Sequence, residues 1–328
     1  MKLRRRGLLA FAGALVFAAV PARAQQAASP QRVGLLFAGK SALVLPLIAD
    51  LREGLAALGW VEGRNLLLDV RLAEGDVKRI DALAGELIAL KPVLVVAATT
   101  LDARAVRRLA PGMSIVVGVA PDPVADGLVA SLARPGGNIT GMTTISAELE
   151  PKRLQLLKEF FSDKVRIAIL TDPSVAYHAR ALEHIRKSAP HQGVELLELH
   201  ASTDAQITLA LARLTREKAG GLLVMDGIAN AAQRPEIIAA ATALRIPAMY
   251  ASDIWTNAGA LMSYGVNYRA HWRHVATFVD RILKGAKPAD LPIEQPTRFE
   301  LIVNLKAAKA QGIKVPQSVL VRADRVVE

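Results

Sequence analysis

The 328-residue sequence contains no cysteine, and only 4% of its residues are aromatic. The absence of cysteine excludes disulfide bonds, thiolate metal sites, cysteine nucleophiles and lipid attachment through cysteine. After the first 24 residues, no run of apolar residues reaches the length of about 18 that a membrane-spanning helix needs. We therefore expect the remainder of the chain to be a soluble globular protein, and its length predicts two domains.

The positive charge of the chain is spread out rather than clustered. The formal net charge is +11, but five of the basic residues lie in the first 24 residues, which contain no acidic residue. The other basic residues form no long run, whereas a nucleic-acid site usually combines a basic cluster with stacking aromatics. We therefore expect no nucleic-acid partner.

The first 24 residues have the pattern of a secretory signal peptide. A basic start is followed by the apolar residues 8–20, by Pro21 and by the small-x-small sequence Ala22-Arg23-Ala24. As a helix the apolar run would span about 20 Å, less than the hydrocarbon core of about 30 Å, which argues against a membrane anchor. We predict cleavage after Ala24 and a periplasmic location. The pair Arg5-Arg6 leaves the general secretory and twin-arginine routes open, with the general route favoured.

From Arg32 onward, short β-rich runs alternate with helical patterns. Residues 93–98 and 114–119 are continuous apolar runs, typical of parallel strands that are covered on both faces. The alternation restarts after about residue 145 and predicts an α/β fold of two doubly wound, Rossmann-like parallel-sheet lobes. The predicted domains are the signal peptide at 1–24, lobe 1 at 25–143 with about 265–295, and lobe 2 at 144–264 with about 296–328.

Motifs for enzymes, nucleotides and metals are absent or unconvincing. Residues 34–41, GLLFAGKS, match the P-loop pattern, but the apolar residues between its glycines belong inside a strand and cannot form a phosphate-binding loop. His271 and His274 share a helix face without a nearby carboxylate on it, so we expect no metal. The sequence contains neither G-x-S-x-G nor H-E-x-x-H. We expect no enzyme activity and no cofactor.

Polar residues recur directly after the predicted strands, where open α/β sheets bind their ligands. They are Lys40, Ser41, Thr99, Thr100 and Asp122 in the first half, and Asp172, Asp226, Ser252 and Asp253 in the second. Helix amino termini at these positions also offer free N–H groups to anions. Capping of the following helices would explain the same residues, so both interpretations stay open for each of them.

Several segments together resemble one known family. They are GWVEGRN at 59–65, DPV at 122–124, GLVASLARPGGNITG at 127–141, LMSYG at 261–265, ILKGAKPADLP at 282–292, EQPT at 294–297, FEL at 299–301 and NLK at 304–306. In this order they are similar to the exported ABC-transporter substrate-binding proteins of the tryptophan/tyrosine-binding type. The sequence departs from that family at residues 250–255.

This resemblance implies a type I periplasmic-binding-protein architecture, with two lobes, a multi-stranded hinge and a ligand in the cleft. It implies a solute-binding protein that delivers a small molecule, such as an amino acid or aromatic compound, to the permease and ATPase of an ABC importer. A soluble sensor for a membrane receptor and an exported hydrolase are the alternatives. We expect a monomer.

The predicted site combines strand-end residues, aromatic residues and positions carried over from the family. Thr99, Thr100, Asp122 and Tyr264 fall where the family pattern has cleft or hinge residues. Hydrogen bonds from Ser41, Thr99 and Thr100 would hold an anionic or polar group, and Asp122 or Asp226 would take a positive one. Phe37, Tyr177 or Tyr250 would pack an apolar part of the ligand. The predicted ligand-binding residues are Lys40, Ser41, Thr99, Thr100, Asp122, Tyr177, Asp226, Tyr250, Asp253 and Tyr264.

Overall fold

The computed structural model describes residues 29–328, which form two sheets covered by helices. The predicted signal peptide at 1–24, with its cleavage after Ala24, lies outside the described residues. Within residues 29–328, none of the helices combines the length and the hydrophobicity needed to cross a bilayer.

The first sheet has five strands, all parallel to their neighbours. They are β1 (Gln31–Phe37), β2 (Leu66–Leu72), β3 (Leu94–Thr99), β4 (Ser114–Ala120) and β5 (Ile139–Thr143). Their spatial order is β2-β1-β3-β4-β5, and Val33 of β1 pairs with Leu68 on one side and Leu94 on the other. The central strands are almost completely buried, as expected of strands covered on both faces.

The second sheet has seven strands. They are β6 (Val165–Thr171), β7 (Val194–His200), β8 (Gly221–Val224), β9 (Ala248–Tyr250), β10 (Met262–Gly265), β11 (Glu300–Asn304) and β12 (Arg325–Val327). Their order is β12-β11-β10-β9-β8-β6-β7. The β10–β11 pair is antiparallel and the other pairs are parallel, so the prediction of parallel sheets is wrong for this pair alone. The chain returns from the other lobe before β11 and therefore enters the sheet from the opposite end.

Twelve α-helices are present in the described part of the chain. They are α1 (Ser41–Ala57), α2 (Ile80–Ala89), α3 (Thr100–Leu109), α4 (Ser146–Lys158), α5 (Ala176–Ser188), α6 (Asp204–Arg216), α7 (Ile228–Ala232), α8 (Arg234–Ala243), α9 (Asp253–Asn257), α10 (Tyr268–Leu283), α11 (Leu305–Gln311) and α12 (Gln317–Leu320). Short 3₁₀ turns lie at Val77–Arg79, Pro190–Gln192 and Pro288–Asp290.

Helix α10 follows most of the second sheet in the chain, yet it packs on the first. Its buried residues Trp272 and Phe278 share one apolar cluster with Val33 of β1 and Leu55 of α1. The chain therefore passes between the lobes three times: after β5, between β10 and α10, and before β11. These passages form a multi-stranded hinge. The domain boundaries at about 143, 265 and 295 stay a prediction.

The P-loop-like segment forms part of a strand. Leu35, Leu36 and Phe37 lie in β1 and are buried, which confirms that they do not form a phosphate-binding loop. The backbone N–H of Ser41, at the end of the motif, donates to Glu74 Oε2 at 3.0 Å. The amide that would face a phosphate is therefore occupied by a carboxylate of the protein itself.

Candidate ligand-binding site

A cavity of about 650 Å³ lies between the two lobes. Its walls come from the carboxyl ends of β1, β3 and β4 on one side and of β6, β8 and β9 on the other, together with α1, α7 and α10. The carboxyl ends of parallel strands are the usual ligand sites of open α/β sheets. Cavities of this volume typically hold a small organic ligand.

Five of the predicted residues line this cavity: Lys40, Thr99, Thr100, Tyr177 and Asp226. Lys40 follows β1, the two threonines join β3 to α3, Tyr177 lies in the first turn of α5, and Asp226 follows β8. The lining therefore draws on both lobes. Phe37, proposed from sequence as an apolar contact, also lines the cavity.

Ser41 and Asp122 are outside the lining, and other groups of the protein engage both of them. Ser41 begins α1, and its N–H is bonded to Glu74. The carboxylate of Asp122 forms an ion pair with Arg180 of α5 and accepts the Ala125 N–H at 3.0 Å. Asp122 therefore links the lobes instead of facing the cavity.

Tyr250, Asp253 and Tyr264 are also outside the lining. Tyr250 is buried in the core of the second lobe, with its ring stacked on Trp255 at a centroid distance of 4.7 Å. Asp253 Oδ1 accepts the backbone N–H of Tyr268 at 3.3 Å. Tyr264 packs against the core beneath α4, with its ring near that of Phe299.

Several residues that line the cavity were not predicted from the sequence. Tyr268 and Trp272 come from α10, where the helical pattern showed apolar residues without showing which lobe they cover. Trp255 and Arg234 come from short helices of the second lobe. For Arg234, its position at the start of a helix was the only signal, and that position alone does not predict a ligand contact.

The hydroxyl groups of the two threonines already donate to carboxylates. Thr99 Oγ1 donates to Asp102 Oδ2 at 2.9 Å, within a capping box that begins α3. Thr100 Oγ1 donates to Asp126 Oδ2 at 3.1 Å. In this arrangement both hydroxyl protons are used within the protein, and the predicted hydrogen bonds from the threonines to an anionic ligand group stay a prediction.

Asp102 is the buried partner of this capping box. It is 0% exposed, and desolvation raises its pKa from 3.8 to about 7 despite the hydrogen bonds from Thr99. The folded protein thus retains a proton on Asp102 at pH values where the unfolded chain has released it.

The difference between the pKa of Asp102 in the folded protein and in the unfolded chain predicts that the stability depends on pH. We expect the free energy of unfolding of the wild-type protein, relative to that of Asp102→Asn, to fall as the pH rises from about 4 to about 7. Urea denaturation across this range measures the difference, and asparagine keeps an acceptor for the cap without an ionisable group. Parallel pH profiles for the two proteins would show that Asp102 titrates normally.

Two serines of the second lobe hold the carboxylate of Asp172 in place. Its Oδ1 atom accepts hydrogen bonds from Ser174 N at 2.9 Å, Ser174 Oγ at 2.7 Å and Ser202 Oγ at 2.5 Å. All three residues line the cavity. The three bonds go to the same carboxylate oxygen, which leaves Oδ2 for a ligand.

Three hydrogen bonds hold Asp226 in place. Its backbone carbonyl accepts the hydroxyl of Tyr177 at 2.7 Å and Nε2 of His178 at 2.8 Å, and its Oδ2 accepts the hydroxyl of Tyr268 at 3.0 Å. Tyr268 belongs to α10, so this last bond crosses between the lobes. The position of the carboxylate is therefore set before a ligand arrives, and Oδ1 remains for that ligand.

His178 joins the two loops that carry these carboxylates. Burial lowers its pKa, so the ring is neutral. Its Nδ1 accepts the backbone N–H of Asp172 at 2.8 Å, and its Nε2 donates to the carbonyl of Asp226. This tautomer holds Asp172 and Asp226 at a fixed separation on one side of the cavity.

The other walls are aromatic and aliphatic. Phe37 stacks on Trp272 at a centroid distance of 5.1 Å, and Trp255 and several aliphatic residues of α1 complete the surface. The cavity therefore places the carboxylates of Asp172 and Asp226 on the second lobe in the same lining as a large apolar surface. Within residues 29–328, no group of three His, Asp or Glu side chains is arranged to hold a metal ion.

A family model described as "ABC transporter substrate binding protein" matches residues 45–327. The match covers most of the chain and includes every cavity wall except β1, the turn after it and the first residues of α1. The chain belongs to this family. Members of the family bind a substrate for a membrane ABC transporter and are not enzymes.

Similar proteins support this assignment. The tyrosine-binding protein of Clostridioides difficile is 24% identical over 269 residues, covering 81% of this chain and 77% of that protein. A crystal structure of a conserved domain protein from Vibrio cholerae has a TM-score of 0.84 at 26% identity, covering 91% of this chain and 100% of the other. An ABC domain from Streptococcus pneumoniae in complex with L-Trp has a TM-score of 0.82 at 22% identity, with the same coverage. The fold is thus the type I periplasmic-binding-protein architecture.

Proposed function

We propose that this substrate-binding protein captures an aromatic L-amino acid between its lobes and delivers it to the permease and ATPase of an ABC importer. The observation that carries the proposal is the cavity itself, in which the carboxylates of Asp172 and Asp226 stand beside the ring surface of Phe37 and Trp272. A ligand that matches this cavity has a positive group close to an aromatic or large apolar group.

The ammonium group would bind to the free oxygens of Asp226 and Asp172. A partly desolvated carboxylate attracts a cation more strongly than one in water, and both carboxylates are already oriented by hydrogen bonds. The aromatic side chain of the ligand would lie against Phe37, Trp272 and Trp255. The relatives that bind tyrosine and L-Trp favour the same class of ligand.

Contacts between the lobes give a physical basis for closure. The bond from Tyr268 to Asp226 and the ion pair of Arg180 with Asp122 both join the two lobes. A ligand shifts the balance toward this closed arrangement only if it binds it more tightly than the open one. The importer could thus distinguish the loaded protein from the empty one. Export to the periplasm, the monomeric state and the lobe boundaries given above belong to this proposal.

A ligand screen on the purified protein tests the function. We expect L-tryptophan, L-tyrosine or L-phenylalanine to raise the unfolding temperature, since a ligand at 100 times its Kd stabilises a protein by about 2.7 kcal/mol. Sugars and indole, which lacks the ammonium group, serve as controls. Calorimetry then gives the affinity, and chromatography checks that the ligand is recovered unchanged. No stabilisation by any aromatic amino acid, or chemical conversion of the ligand, would overturn the proposal.

A further inference from the structure

Arg234 is a buried cation with no carboxylate beside it. It begins α8 and is only 9% exposed. One guanidinium nitrogen, Nη1, donates to the carbonyl of Ile254 at 2.9 Å, and the guanidinium lies 5.9 Å from the centroid of the Trp255 ring. Among residues 29–328, no carboxylate oxygen comes within 4.0 Å of its nitrogens. Most of its five N–H donors are therefore left for another acceptor.

The other arginines in and around the cavity are paired. Arg104, which also lines the cavity, donates to the backbone carbonyl of Asp126 at 2.7 Å and lies 3.6 Å from its carboxylate. Arg180 pairs with Asp122, and the fully buried Arg153 pairs with Glu150. Burying a charge is costly unless a partner compensates it. Arg234 differs from these arginines because no carboxylate of the described residues pairs with it.

Arg234 lies where a ligand can supply the missing partner. It lines the interlobe cavity together with Asp226, and it also lines an adjoining groove of about 750 Å³ between α1 and α8. The negative charge of Asp226 acts on the guanidinium and opposes the lowering of its pKa by burial. The two groups are nevertheless too far apart to form an ion pair. A cation and an anion that line one cavity without pairing can bind the two charged groups of a zwitterion.

The first lobe is less suited to hold a carboxylate. Thr99 and Thr100 use their hydroxyl protons on Asp102 and Asp126, and the Asp126 carboxylate lies beside the start of α3. Lys40 is exposed, so water competes for its charge. A guanidinium that is already buried loses little solvation on binding, and its planar shape suits two hydrogen bonds to one carboxylate.

We infer that Arg234 binds the carboxylate of the ligand while Asp226 binds the ammonium group, so that this pair selects free α-amino acids over analogues without the carboxylate. This inference rests on the proposed function, because it concerns the same ligand in the same cavity. Arg234 thereby determines specificity for the head group, whereas the aromatic walls determine it for the side chain.

Calorimetry with two matched ligands tests the inference. L-Tryptophan and L-tryptophanamide both carry the ammonium group, but only the first has a carboxylate. We expect the wild-type protein to prefer L-tryptophan by about 10- to 100-fold, the range for a charged hydrogen-bonded pair. In Arg234→Gln this preference should collapse to less than about 5-fold, mainly through weaker binding of L-tryptophan, while the affinity for the amide stays nearly unchanged. Arg234→Lys should keep part of the preference because it keeps the charge.

Arg186→Gln is the control variant, since Arg186 is an arginine outside the cavity lining that pairs with Glu198. It should leave the preference intact. Should Arg234→Gln fail to fold, a crystal structure of the wild-type protein with L-tryptophan decides the question: a carboxylate oxygen within about 3.2 Å of the guanidinium supports the inference, and a carboxylate bound elsewhere overturns it. An undiminished preference in a folded Arg234→Gln overturns it as well. A wild-type protein that binds no aromatic amino acid would instead overturn the proposed function, and the inference with it.

Discussion

Asp226→Asn is expected to weaken the binding of L-tryptophan by about 100-fold or more, because it removes the charge that faces the ammonium group of the ligand. Asparagine has nearly the same shape, and its carbonyl oxygen can still accept the hydroxyl of Tyr268, so the contact between the lobes persists. The loss therefore reports on the ligand contact rather than on closure. Isothermal titration calorimetry of the two proteins measures it directly.

Asp204→Asn provides the matched control for that measurement. Asp204 also lines the cavity, but it is exposed at the start of α6, where solvent screens its charge. We expect less than about a 5-fold change in affinity. Equal losses in both variants would mean that the cavity attracts the ligand through its overall negative charge, without a specific contact at Asp226.

Gly141→Ala is expected to lower the free energy of unfolding by about 3 kcal/mol or more. Gly141 lies in β5 with φ +132, a conformation that side chains rarely adopt. A Cβ atom there would collide with the carbonyl oxygen of Val117 and lie 2.7 Å from its amide nitrogen. Both are backbone atoms of β4, so relief requires the two strands to separate just before the chain crosses to the second lobe.

Gly85→Ala, in the middle of α2, is the matched control. Apart from the chain neighbours and the backbone of α2 itself, no described atom lies within 4 Å of a Cβ atom at this position. Alanine favours a helix over glycine by about 0.5–1 kcal/mol. Urea denaturation should therefore show opposite effects for the two substitutions. A Gly141→Ala protein as stable as the wild type would show that β5 can move away from β4 without loss.

The elements of the fold could be predicted wherever local pattern determines them. The apolar residues 93–98 were predicted as a strand and correspond to β3. The alternation of β-rich runs with amphipathic segments correctly predicted an α/β fold with two sheets. The direction of β11 could not be predicted, because it depends on the chain returning from the other lobe. The three-residue strand β12 was also missed, since it exists only through its pairing with β11.

The candidate site, like the fold, could be predicted only where local sequence pattern determines it. The position of residues after strands placed Lys40, Thr99 and Asp226 at the cavity, because the carboxyl ends of parallel strands share one edge. Sequence could not show that Asp122 is engaged by Arg180, a residue of the other lobe. Nor could it show that Trp272 stacks on Phe37, because the two meet only when α10 packs back on the first sheet.

The position of α10 late in the sequence also affects how the protein folds during its synthesis. The core of the first lobe includes α10, but β6 to β10 are synthesised between β5 and that helix. Domains that are continuous in sequence fold one after another as the ribosome produces them, whereas here neither half is complete until near the end of translation. We therefore expect each lobe to complete its core only late in the synthesis of the chain.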